Sequence, residues 1–135
     1  MPSASDIVAL AGLGTAAVGW KLSSDARRTL LHSFPPSFRN TLADRVILMR
    51  NVANDTPLPS EDRGRIVGWA HDARGVEAMI VAIGGTCHRP GGGTYHITWS
   101  LADGARDPDL PEKLDDHDWV RFGVPIPVKL VPAAL

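Results

Sequence analysis

The feature that most constrains this chain is the brevity of its apolar runs. Stretches rich in Val, Ile and Leu, such as Ala43–Met49, Ile66–His71 and Val76–Ile83, each end after a few residues at Gly, Asn or Asp. Glycine and proline are abundant, at 13 and 11 residues, and they cluster between these runs as turn punctuation. Such a pattern specifies short buried strands separated by turns. A chain of 135 residues with 44% hydrophobic and 21% charged side chains has the material for one domain with a true core.

Residues 1–14 read as a flexible lead-in and 15–135 as a single domain. The apolar stretch Ile7–Trp20 is too short to cross a bilayer, contains Gly12, Gly14 and Gly19, and follows a segment without positive charge, so it reads as neither anchor nor signal peptide. Thr15–Leu22 is the first expected strand. Ser23 or Ser24 then offers an N-cap oxygen, Asp25 suits the positive end of a helix, and Ala26, Leu30, Leu31 and Phe34 recur at helical spacing until Pro35-Pro36 stops the run. Arg27, Arg28 and His32 are expected on the wet side of that helix. Ala43–Met49 reads as a buried strand, Asn51–Arg63 as a loop, and Ile66–His71 with Val76–Ile83 as a hairpin about Asp72-Ala73-Arg74-Gly75. Tyr95–Leu101 is the next strand, Ala102–His117 is a polar, acidic excursion, and Val124–Val131 reads as an edge strand because it carries Pro125 and Pro127.

Charge and cysteine content narrow the function. Lys and Arg number 14 against 15 for Asp and Glu, so no global field draws in a nucleic-acid backbone, strong non-specific nucleic-acid binding is not expected, and any such partner must be held by a local site. Cys87 is the single cysteine, which excludes an intrachain disulfide and suits a reducing, cytoplasmic setting. Cys87, His88 and His96 match no zinc spacing, and the acidic residues Asp107, Asp109, Glu112, Asp115, Asp116 and Asp118 lack the glycine and closing glutamate of a calcium loop, so neither a metal nor a cofactor is expected. Gly91-Gly92-Gly93 feeds a strand and has no Gly-Lys-Ser/Thr after it, so it reads as a flexible connection over a cleft mouth and not as a nucleotide loop. Trp20, Trp69, Trp99 and Trp119 read first as core, with Trp20 and Trp119 able to stack on a base if exposed.

The chemistry concentrates in Thr94-Tyr95-His96-Ile97-Thr98-Trp99-Ser100. Strand alternation places His96, Thr98 and Ser100 on one face and Tyr95, Ile97 and Trp99 on the other. An imidazole beside two hydroxyls suits a phosphate, since the ring exchanges a proton near neutral pH and the hydroxyls hydrogen-bond non-bridging oxygens. The plain alternative is a solvated strand face that happens to carry a histidine.

His96-Ile97-Thr98-Trp99 resembles the histidine, any residue, Thr or Ser, hydrophobic signature of the two-histidine (2H) phosphoesterases, a superfamily of cyclic phosphodiesterases and RNA-end-processing proteins that carry it twice. Gly19-Trp20-Lys21-Leu22, the helix, Phe34-Pro35-Pro36 and Ala43-Asp44-Arg45-Val46-Ile47-Leu48 are similar to the first half of such a domain, so the likeness runs from about Gly19 to Val131. It implies an α+β fold, a two-lobed antiparallel sheet with a flanking helix, in which two histidines face each other across a cleft as general base and general acid. Carried over, His96 takes the second histidine's place and Thr98 that of its hydroxyl partner, with Arg45 and Ser100 on the phosphate of a nucleotide or RNA end.

The first motif departs from the pattern, with Arg45 at the histidine position and Ile47 at the hydroxyl position. Arginine stays protonated and cannot alternate between acid and base, and Ile47 cannot hydrogen-bond. Losing one positioned acid–base group costs on the order of 10² to 10⁴ in rate. The resemblance therefore implies a degenerate domain that binds 2′,3′-cyclic phosphates or related phosphodiesters with hydrolysis weakened or lost, or an interaction module that kept only the fold. Arg45 retains a planar fork suited to phosphate, or else is a plain strand-edge cation.

Overall fold

The computed structural model describes residues 2–71, 75–105 and 119–135. The fold is α+β and dominated by antiparallel strands. Its elements are α1 (Ala4–Leu10), β1 (Leu13–Leu22), α2 (Ser24–Ser33), β2 (Asn40–Thr41), β3 (Arg45–Val52), β4 (Arg63–His71), β5 (Val76–Ile83), β6 (His96–Leu101) and β7 (Val120–Ala134). Residues 72–74 of the expected hairpin turn, the acidic residues from Asp107 to Asp118, and His117 lie outside the described residues.

Strand pairing runs β6–β3–β1–β7–β4–β5, and β5 pairs again with β6, so the sheet closes on itself as a barrel. The short β2 extends the β3 side of the ladder along β6, with Asn40 opposite Leu101 and Thr41 opposite Ser100. Between β2 and β3 the chain kinks at Ala43, whose φ is 48°. Arg27 fixes that kink. Its guanidinium donates to the carbonyls of Leu42 and Ala43 at 3.1–3.3 Å, so this residue ties α2 to the entry of β3 and is not a wet-face charge.

The barrel is filled by Trp20, Trp99, Tyr95, Ile97, Met79 and Leu130, all at most 2% exposed. Trp20 and Tyr95 meet edge to face at 5.7 Å. Burial pushes the Tyr95 phenol up to about 12, with the Glu61 carboxylate adding to the rise and Arg89 opposing it, so this hydroxyl is a neutral core group at physiological pH. Trp20 donates from Nε1 to the Glu61 carbonyl at 2.7 Å, which settles it in the core. Trp119 is 7% exposed and packs on Gly68, where any Cβ would collide with its ring, so it too is packing and not a stacking platform.

Two expectations are corrected. The lead-in contains α1, opened by a Ser3–Asp6 capping box, with Ala4 and Ile7 buried and the Ala4 amide donating to the Glu61 carboxylate at 3.0 Å. The amphipathic spacing of so short a helix is weak, and its stability comes from docking. The last strand runs beyond Val124–Val131: β7 pairs with β4 from Val120 to Lys129 and with β1 from Leu130 to Ala134, and among the described pairings each stretch is bonded on one flank, so the proline-bearing part is edge-like as expected. Pro125 falls in an irregular excursion between the pairs Ile66–Ile126 and Gly68–Arg121, whereas Pro127 stays in register opposite Arg65 in a stretch that pairs with β4 alone. Trp69 packs against the core as expected while remaining partly buried, and it donates from Nε1 to Glu77 at 2.7 Å.

Glu77 organises one end of the barrel. It is 2% exposed and accepts from the Ser37 amide at 2.9 Å, the Ser37 hydroxyl at 2.6 Å, the Ser100 hydroxyl at 2.6 Å and Trp69 Nε1. Burial pushes its carboxyl up, but the donors from Ser100, Ser37 and Trp69 outweigh burial and hold it below the ordinary 4.5. The same segment is held again where Trp99 Nε1 donates to the Phe34 carbonyl at 2.9 Å and the Phe38 amide to Ser100 Oγ at 3.1 Å.

Because the folded carboxyl is the stronger acid, its contribution to stability is complete above the unfolded value and is lost as pH falls through the folded one. Urea midpoints measured from neutral to acid pH should decline below about 4.5 in the wild type, and this decline should flatten in Glu77→Gln. Glu77→Ala, which strands several buried donors, should cost ~3 kcal/mol at neutral pH.

Candidate functional site

The two motif strands are neighbours in the ring. β3 and β6 run antiparallel and pair at Val46 and Ile97, which both point into the core. Arg45 and Ile47 flank Val46 just as His96 and Thr98 flank Ile97, so alternation sends all four to the outer face. There they line one cavity of about 70 Å³ together with Leu42, Asp44 and Arg50. Its size suits a single small anion or a few waters.

His96 is half-buried, and its Nδ1 lies 3.0 Å from the Thr94 carbonyl. A carbonyl only accepts, so Nδ1 carries the proton and, in the neutral ring, Nε2 carries the lone pair. That tautomer is the one a general base working through Nε2 requires. Thr98 is 7% exposed and lines the same cavity as His96. Arg45 and Arg50 are exposed, and among the described residues neither makes an ion pair or a side-chain hydrogen bond, so both guanidinium forks are available to an anion. Asp44 on the rim works against that charge.

Ser100 does not join them. The β5–β6 ladder pairs Ala78 with Thr98 and Glu77 with Ser100, so one extra residue, Trp99, is inserted opposite the Ala78–Glu77 step. This bulge reverses the alternation, and Ser100 turns inward to Glu77 with 0% exposure. Its role as a phosphate ligand is therefore corrected to that of a core hydrogen-bond relay.

A second bulge adds the residue that alternation misses. β1 pairs Gly19 with Ile47 but Val18 with Met49, leaving Leu48 as the extra residue. Met49 then turns toward the core and Arg50 joins the face of Arg45 and Ile47, whereas unbroken alternation sets Arg50 opposite them. The signal in the sequence is Gly19: a Cβ there would stand 2.1 Å from the Val46 carbonyl oxygen and 2.9 Å from the Leu48 amide. Arg45, Ile47 and Arg50 also line a second cleft of about 210 Å³ that opens beside the first toward Thr15–Ala17 of β1.

The glycine loop does not line the cavity. Gly91 lies against Val8 of α1, and the loop is closed on itself by Arg89 Nε donating to the Gly92 carbonyl at 3.0 Å. Among the described residues, no group of three or more His, Cys, Asp or Glu side chains is placed to hold a metal ion. No helix among them is long and apolar enough to cross a membrane. Comparison with protein-family models, curated proteins and solved structures gives no match to this chain.

Two outcomes follow from the bulges. Ser100→Ala should destabilise the fold by ~1–3 kcal/mol in urea titration, since it strips the Phe38 amide of its acceptor and Glu77 Oε1 of one of its two donors, yet leave phosphate-analogue binding intact; Thr98→Val should weaken that binding. Gly19→Ala should cost ~2 kcal/mol or more through its backbone collision and weaken anion binding as Arg50 is displaced, both readable by calorimetry.

Proposed function

We propose that this chain is a degenerate 2H phosphoesterase-like domain whose β3–β6 cavity binds the phosphate of a 2′,3′-cyclic nucleotide, an RNA end or a related phosphodiester. The observation that carries this reading is the convergence of Arg45, His96 and Thr98 on one cavity. The closed ring supports it further, because it divides into a β3–β1–β7 half and a β6–β5–β4 half, each contributing one motif strand to the junction. In this reading those halves are the two lobes.

His96 is the acid–base group, with Nε2 presented by the Nδ1 contact to Thr94. Thr98 donates to a non-bridging oxygen, and Arg45 and Arg50 balance the phosphate charge. Arg45 in the place of the first motif's histidine leaves no group to exchange the other proton, so binding survives better than turnover. A non-catalytic interaction module is the second reading, favoured by Asp44 on the rim and by the diversion of Ser100 into the core.

Purified protein should be assayed on the four nucleoside 2′,3′-cyclic phosphates beside His96→Ala and Arg45→His. The expected result is weak or undetectable turnover in the wild type, none in His96→Ala, and a gain on the order of 10-fold or more in Arg45→His. A ligand at ~100 times its dissociation constant should stabilise the wild type by ~2.7 kcal/mol in thermal unfolding. A flat thermal response with silence from all three proteins would leave the interaction module as the reading.

A further inference from the structure

On the β7–β4 side of the ring, with β1 and β5 intervening between it and the β3–β6 pair, lies a groove of about 830 Å³. Among the described residues its polar lining is one-signed: Arg63 and Arg65 from β4 and Lys129 from β7, with no acidic side chain beside them. Arg63 and Lys129 are direct cross-strand partners. Like charges placed opposite each other in an antiparallel ladder repel and destabilise the sheet. All three cations are exposed, and none makes an ion pair with the described residues that would relieve this repulsion. Asp62, the nearest acidic residue in sequence, is not part of the lining.

A chain with a net charge of −1 has no general excess of base to scatter here, so the cluster is local. Arg63 and Arg65 are two residues apart on one strand, hence on one face and roughly 6.6 Å apart along it, a span comparable to that between successive phosphates of an extended single strand. Lys129 stands beside Arg63 on the neighbouring strand. The floor is open at Gly84 and Gly85, where φ is 64° and 83° and a Cβ would meet nothing within 4 Å, while Pro125 and Pro127 form an apolar wall.

We propose that this groove binds the backbone of single-stranded nucleic acid, separately from the His96 cavity. Arginine forks engage phosphates bidentately, and cations fixed on rigid strands lose little freedom on doing so. The groove is far larger than one anion needs, which fits a polymer running along it. The inference is independent of the phosphoesterase reading, because it uses other strands and none of the motif residues.

The test is fluorescence anisotropy of a labelled short oligouridylate with full-length protein across a salt series, with polyglutamate as competitor. Three phosphate contacts predict a slope of log K against log salt near about −2 in the wild type, since each contact on a single strand contributes ~0.7. The triple variant Arg63→Ala, Arg65→Ala, Lys129→Ala should bind at least ~10-fold more weakly with a slope near zero. It should fold normally, with Tm unchanged or raised as the cross-strand repulsion is relieved.

The groove variant should keep whatever thermal response to cyclic nucleotides the wild type shows, so the two sites fail or succeed separately. Absence of oligouridylate binding at low salt would overturn the proposal, as would wild-type affinity in the triple variant. Loss of oligouridylate binding in Arg45→Ala alone would move that binding to the other cavity. Equal competition by polyglutamate at matched charge would replace nucleic acid by an acidic polypeptide as the partner.

Discussion

Closure of the sheet through β5 and β6 is the constraint on which the rest of the molecule depends. Strand β6 pairs along one edge with β5 and along the other with β2 and β3, so both flanks of the histidine strand are hydrogen-bonded. Closure leaves β6 no free edge at which its side chains could splay, and it turns one face of every strand inward. The inner face must then be apolar, and the motif residues are left to the outer one. Placement of His96 beside Arg45 is thus a result of closure and not of any direct bond between them.

Against that apolar interior, Glu77 is costly, and the fold offsets the cost by giving the carboxylate four donors from three different segments. Such a network is specific where hydrophobic packing is not, because only one arrangement satisfies every partner. It fixes the Pro35-Pro36 link to the barrel end and, through Ser100, anchors the far end of β6. The outer site and this inner cluster therefore share one strand, and the Trp99 bulge is the junction between them.

Much of this was legible in the residues. The hairpin of β4 and β5, the helix between Ser23 and Pro35, and the strands around Ile47 and Ile97 follow from local periodicity and stop signals, which short-range forces dictate. What alternation could not supply were the shifts of register. One inserted residue at Trp99 took Ser100 away from His96, and another at Leu48 brought Arg50 to Arg45, since a single slip exchanges the two faces of a strand. Helix α1 and the double pairing of β7 depend on partners far along the chain, Glu61 for one and β1 with β4 for the other. Pro125 and Pro127 marked an edge-like stretch because a ladder bonded on both flanks excludes proline, and that part of β7 pairs with β4 alone.

The double pairing of β7 has a kinetic consequence. Strand β7 is synthesised after both of the strands it joins, β1 and β4, so until it is made the ring stays open and both of those strands present unpaired backbone. Contacts so distant in sequence must overcome loop-closure entropy before they yield stability, which makes folding slow and late. A nascent chain in that state carries two adhesive edges, and its yield in a cell depends on how quickly β7 arrives to cover them.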